Sequence, residues 1–248
     1  MQKHTYHTGF TTNFEHIKAE NSHTQKFTIL YTHGFCSDPW GRKPEEVKKW
    51  CAKNNVSFFR YELAGHGSDI SRFEEADINT WKAQILEIID ECIEGDIVVV
   101  GSSLGGWLSL LAAIHRKHRI KGLVGLAAAP DFTAEHIKYA TPEQIQEMEK
   151  FGKITYAGQG IEFVVTKRLI ESGTDNLILD KDTIPVCCKV ALVQGMKDTS
   201  VDWKKALKIA ELLETQDVVV KLLKNANHRL NEDDDIAEIL SVLDGFLL

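Results

Sequence analysis

At 248 residues, with 43% hydrophobic and 26% charged side chains, the chain has the size and balance of one large globular α/β domain. A formal net charge of -7, with no basic run, argues against nucleic acid as a partner. No apolar stretch approaches the roughly 20 residues that a membrane-spanning helix requires.

Residues 13–19 alternate apolar and polar, as a half-exposed strand does. Asn21-Ser22-His23 reads as a turn and 27–31 as a more buried strand, the two strands together suggesting an antiparallel start. A helix is expected over 41–54, with Pro44 near its first turn, where a missing N–H costs little. A strand follows over 56–61. From Asp77 to Ile93 the residues Ile78, Trp81, Ile85, Ile88, Ile89 and Cys92 recur three or four apart and predict an amphipathic helix. Strand 96–100, helix 103–117 and a short strand over 123–126 come next. Between Pro130 and Ile184 the periodicity changes. Two helices, about 133–150 and 160–173, joined by a loop with Gly152, Gly158 and Gly160, read as a small helical cap inserted at 131–184 in a single domain spanning 1–248. Strands over 190–194 and 218–223 flank a helix over 203–213. The closing helix carries Ile236, Ile239, Leu240, Leu243 and Phe246 behind an acidic start, Glu232 to Asp235, suited to the positive end of a helix dipole. Strands separated by helices imply a mostly parallel sheet of about eight strands covered on both faces, with its chemistry on loops at the carboxyl ends of the strands.

One such loop is Gly101-Ser102-Ser103-Leu104-Gly105, between the apolar run 96–100 and a helical stretch. Only Ser103 has a glycine two residues away on both sides, so Ser103 rather than Ser102 fits a nucleophile elbow. A serine hydroxyl needs a base to take its proton, and the base needs a carboxylate to orient it. On this topology the chain order is serine, acid, histidine. His115 and His118 are read as lying on the helix that follows the serine, pointing along or away from it, and His136 lies in the insertion. His228 alone follows the last strand, and it is the expected base. Asp198, in Gly195-Met196-Lys197-Asp198, is the expected acid; Asp202, its competitor, reads as a cap for the helix beginning near Trp203. Oxyanion stabilisation needs two backbone N–H donors, assigned to Leu104 and to Phe35 in His33-Gly34-Phe35-Cys36-Ser37. His66 in Glu62-Leu63-Ala64-Gly65-His66-Gly67 reads as structural, and Trp81 and Trp107 as packing residues. Without His-Glu-x-x-His, Cys-x-x-Cys or a Gly-Lys-Ser/Thr loop, no metal or organic cofactor is expected.

The N-terminal segment has neither an apolar signal core nor an Arg-rich amphipathic face. The five cysteines, Cys36, Cys51, Cys92, Cys187 and Cys188, have no regular spacing and read as reduced, mostly buried thiols. A cytoplasmic protein is the expectation.

Through Gly101 to Leu108, Gly195 to Asp198 and His228-Arg229, the chain resembles the α/β-hydrolase family over nearly its whole length. The nearer resemblance is to the group of mycophenolic acid acyl-glucuronide esterase, also described as an acyl-protein thioesterase; without a targeting presequence the chain looks like a bacterial relative. The resemblance implies an α/β-hydrolase fold and places nucleophile, acid and base on Ser103, Asp198 and His228. The expected function is serine hydrolysis of carboxylic esters or thioesters through an acyl-enzyme, on a small-molecule or acyl-conjugated substrate. The alternatives are a carbon–carbon hydrolase, a cofactor-free haloperoxidase, or an inactive binding protein on the same fold.

Overall fold

The computed structural model describes residues 1–20, 27–158 and 161–247. Its centre is an eight-stranded sheet, ordered β1 (Gln2–Thr5), β2 (Thr11–Ile17), β4 (Ser57–Tyr61), β3 (Thr28–Thr32), β5 (Ile97–Ser102), β6 (Ile120–Leu126), β9 (Lys189–Gly195) and β10 (Val218–Leu223). The six strands from β4 to β10 in that order run parallel; β1 and β2 form an antiparallel edge. Every residue of β3, β4 and β5 is buried. This is why β5 reads as an unbroken apolar run: Ile97 and Val99 enter the core on one face, Val98 and Val100 the core on the other.

The helices divide between those two cores. Val47 and Trp50 of α1 (Arg42–Lys53) pack with Ile236, Ile239 and Leu243 of α8 (Asp233–Asp244) on one face. Trp81 and Ile85 of α2 (Ile78–Glu87), Trp107 and Leu108 of α3 (Leu104–His115), and Ile209 of α7 (Lys204–Leu212) cover the other. Asp77 caps α2 by accepting the Thr80 N–H at 2.8 Å, and the helix continues through Cys92 as a π turn. Among the described residues no helix is long and apolar enough to cross a membrane.

Four expectations are corrected. The stretches 13–19 and 27–31 do not pair with each other, because β4 lies between β2 and β3. β3 is buried on both faces and needs a parallel neighbour on each side, which only a helical crossover through α1 supplies. The polar strand β1, lacking any apolar alternation, gave no signal; it is held by backbone pairing with β2. Within 131–184 the stretch expected as one helix over 133–150 divides into α4 (Phe132–Lys138) and α5 (Pro142–Phe151). The break is a helix start: Thr141 accepts the Gln144 N–H, Gln144 answers to the Thr141 N–H, and Pro142 occupies the first turn. The stretch expected as a helix over 160–173 is the strand β8 (Ile161–Thr166), antiparallel to β7 (Lys153–Gly158), followed by α6 (Lys167–Thr174). The alternation Ile161, Phe163, Val165 has the strand period, and Val165 pairs with Ile154 with both side chains buried. The segment is therefore helices plus a hairpin. The turn expected at Asn21 to His23 and the loop residue Gly160 fall outside the described residues. The cysteines also depart from expectation: all are free, but Cys51 alone is fully buried, and Cys36 and Cys187 are exposed.

The close approach of α3 to the sheet makes a test. A Cβ on Gly105 would lie 2.1 Å from the Thr32 carbonyl oxygen, and one on Gly101 would lie 2.2 Å from the Gly105 oxygen. Neither backbone can yield without separating helix from strand. Gly105→Ala is expected to cost about 1–3 kcal/mol or more in denaturant unfolding. Gly41→Ala, with nothing within 4 Å of the new methyl group, is expected to cost less than about 1 kcal/mol, the preference of the α1 N-cap for glycine over alanine.

Candidate active site

The site gathers where β3, β5, β9 and β10 end. Between β5 and α3 the chain turns so sharply that Ser103 takes φ 55° and ψ -116°. Backbone bonds fix this conformation: the Ser103 N–H donates to Leu126 O at 2.9 Å, and its carbonyl accepts from Gly106 N at 2.9 Å and Ala129 N at 3.1 Å. The hydroxyl is left standing clear of the helix.

His228, in the loop after β10, places Nε2 3.2 Å from Ser103 Oγ and Nδ1 2.7 Å from Asp198 Oδ2. Asp198, just beyond β9, is fully enclosed. Its Oδ1 accepts the N–H groups of Ser200 and Val201, each at 2.8 Å, and its Oδ2 also accepts from Gln194 Nε2 at 2.9 Å. Burial disfavours the charged carboxylate, but the bonds from His228, Val201 and Ser200 outweigh it and hold Asp198 below the ordinary aspartate range. An imidazole so placed can take the serine proton and be steadied as it becomes positive. Asp202 does not join this chain of contacts; it accepts the Lys204 N–H at 2.9 Å at the start of α7. His115 bonds Leu111 O within its own helix.

The two expected oxyanion donors flank Ser103. Leu104 opens α3, where an N–H has no intrahelical acceptor. No acceptor among the described residues takes the Phe35 N–H, and the backbone before it lies against the elbow: a Cβ on Gly34 would be 3.3 Å from Ser103 Cβ. Two buried histidines hold this loop. His33 Nε2 accepts the Leu63 N–H at 2.9 Å, so its Nδ1–H donates to Gly34 O at 2.8 Å. His66 Nε2 accepts the Cys36 N–H at 3.1 Å, so its Nδ1–H donates to Ala64 O at 3.2 Å. Each ring works only as the neutral form. Burial enforces that, pushing His33 down to about 3 and His66 down to about 4. His66 is structural, as the sequence leads one to expect, and its ring is bonded to the backbone of the loop that begins at His33-Gly34.

Over Ser103 opens a cleft of about 590 Å³, walled by Phe35, Phe132, His136, Tyr156 and Phe163. The rings pack on one another: Tyr156 stacks on Phe163 at 5.0 Å, His136 lies 5.0 Å from Tyr156, and Phe35 lies 5.6 Å from Phe132. Except for Phe35, these wall residues come from 131–184 and escaped the sequence reading. The i,i+4 pair Phe132 and His136 on α4 and the aromatic residues of the hairpin were the available signals. A second groove of about 410 Å³ reaches Ser103 and His228 from the other side and carries Lys43 and Arg229. Burial lowers Lys43 to about 8.

Because His33 and His66 stay neutral when folded but titrate near 6.5 when unfolded, the unfolded chain binds more protons below that pH. Their contribution to stability is complete above pH ~6.5 and is lost progressively as pH falls toward about 4 and 3. Melting temperature is expected to drop across this window, and His66→Gln, which keeps an acceptor and a donor, is expected to flatten the slope. An identical slope in the variant would remove His66 from the explanation.

The description "Alpha/beta hydrolase family" matches residues 29–176, more than half of the chain. The mitochondrial palmitoyl-protein thioesterase ABHD10 of Mus musculus is 33% identical over 223 residues, covering 88% of this chain and 74% of that protein. The human ABHD10 is 31% identical over 223 residues, with 88% and 72% covered. The solved structure of mouse alpha/beta hydrolase domain-containing protein 10 superposes with a TM-score of 0.88 at 29% identity, covering 99% of this chain and 97% of that one. A protein of Agrobacterium vitis S4, provisionally described as a hydrolase, superposes at 0.91 with 25% identity over 100% and 99%. The elbow, the sheet order and these likenesses agree: the chain belongs to the alpha/beta hydrolase family.

Proposed function

We propose that this protein hydrolyses carboxylic esters or thioesters through an acyl-enzyme formed on Ser103. The observation that carries this reading is His228 bridging Ser103 Oγ at 3.2 Å and Asp198 at 2.7 Å. In the proposed cycle His228 takes the serine proton as Oγ attacks the carbonyl carbon, while the N–H groups of Phe35 and Leu104 bind the oxyanion. His228 then protonates the leaving alcohol or thiol, activates water, and returns the proton to Ser103 after deacylation. Segment 131–184 acts as a cap whose aromatic wall receives the acyl group, and the groove with Lys43 and Arg229 receives the leaving group. The thioesterase names of the relatives support thioesters within this class.

A fluorophosphonate probe is expected to label Ser103 in the folded protein and to leave Ser103→Ala unmodified; a folded wild type that resists the probe would sink the mechanism and favour a binding protein. Asp198→Asn is expected to keep the fold and lower kcat by about 10⁴, because the imidazole adopts the wrong tautomer. Along a series of p-nitrophenyl esters, kcat/KM is expected to rise about fourfold per methylene until the cleft is filled, at ~0.8 kcal/mol per buried CH₂. Phe163→Ala is expected to flatten that rise, and an unchanged series would place the acyl group elsewhere.

A further inference from the structure

The outer edge of the sheet carries a cluster that the proposed hydrolysis does not use. His4 of β1 places Nε2 3.0 Å from Glu87 Oε1. His7, in the turn toward β2, places Nδ1 3.2 Å from Glu87 Oε2 and 3.8 Å from Glu91 Oε1. Its backbone N–H also donates to Glu87 Oε2 at 3.0 Å, fixing the carboxylate against the turn. Glu87 ends α2 and Glu91 lies in the π turn that continues it, and their ligand atoms and that of His4 all fall within 4.8 Å of one another.

The geometry points to a binding site for a first-row divalent cation of the zinc type, held by the converging ligand atoms of His4, Glu87 and Glu91, with the His7 imidazole beside both carboxylates as a fourth donor. Three considerations converge. A tetrahedral ion with bonds of about 2.0–2.2 Å separates its ligand atoms by roughly 3.3–3.6 Å. The His4–Glu87 Oε1, His7–Glu87 Oε2 and His7–Glu91 Oε1 separations of 3.0, 3.2 and 3.8 Å lie near that value, the two imidazoles meeting different oxygens of Glu87. Next, charge is unbalanced: among the described residues the ion-pair partners of Glu87 and Glu91 are these two imidazoles, with no lysine or arginine. Last, two imidazoles with two carboxylates suit zinc, nickel or copper, whereas calcium and magnesium favour sites made of oxygen alone. A bound ion would tie the edge strand and its turn to the end of α2, in a site separate from Ser103.

The test is calorimetric titration of the full chain, stripped with chelator, with Zn²⁺. One saturable event of micromolar affinity or tighter is expected, together with a higher melting temperature. His7→Gln and Glu91→Gln alter side chains that are 79% and 49% exposed, so the fold is expected to persist by circular dichroism. Each is expected to weaken binding by about tenfold or more, and adding His4→Gln to His7→Gln is expected to abolish it. Absence of saturable binding in the wild type overturns the site. So does equal affinity in the His4→Gln/His7→Gln double variant, which would place the ion elsewhere.

Discussion

The site depends on how closely the first turn of α3 approaches β3. With no side chain at Gly105, the helix backbone sits directly beneath the Thr32 carbonyl, and the peptide between β5 and α3 must fold back on itself. Ser103 absorbs that reversal in a conformation that costs a non-glycine residue about 1–3 kcal/mol. Its hydrogen bonds to Leu126, Gly106 and Ala129 offset the strain and pin the elbow to the end of β6. The position of the half-buried hydroxyl is thus a property of backbone packing.

Around this fixed point Asp198, His33 and His66 are each held in one protonation state by the bonds they make and by burial. Asp198 accepts from Ser200, Val201, Gln194 and His228, so both oxygens are committed and the edge facing the imidazole cannot rotate. Asp202, four residues on, is the same side chain in a different setting: it meets the start of α7 and steadies a helix. On the opposite side, His33 and His66 grip the loop that carries Phe35 through bonds that only neutral imidazole can make, and their burial supplies that neutrality. Field and geometry are therefore set by the same enclosure.

Much of this was legible in the sequence because the signals were local or positional. Glycines on both sides of Ser103 report a turn, and the unbroken Val98 to Val100 run reports a strand with two buried faces. Asp198 and His228 were legible because each follows a strand end, where a parallel sheet exposes its loops. The illegible parts share a physical cause. Strand β1 exists through backbone pairing, which leaves no trace in side-chain pattern. The order β2-β4-β3 depends on a crossover, which adjacency in sequence misrepresents. In 131–184 the short alternation Ile161, Phe163, Val165 is too brief to distinguish from a helical face without its partner Ile154. The aromatic wall is assembled from α4, the hairpin and the β3 loop, so no window of sequence contains it.

The segment that builds that wall departs from β6 and returns at β9, and these strands are neighbours in the sheet. Its two anchor points are consequently set by strand spacing alone, whatever lies between them. Lengthening, shortening or exchanging the excursion alters the chamber while the framework beneath keeps its register. The strand framework and the excursion it carries are thus mechanically separable parts of one architecture.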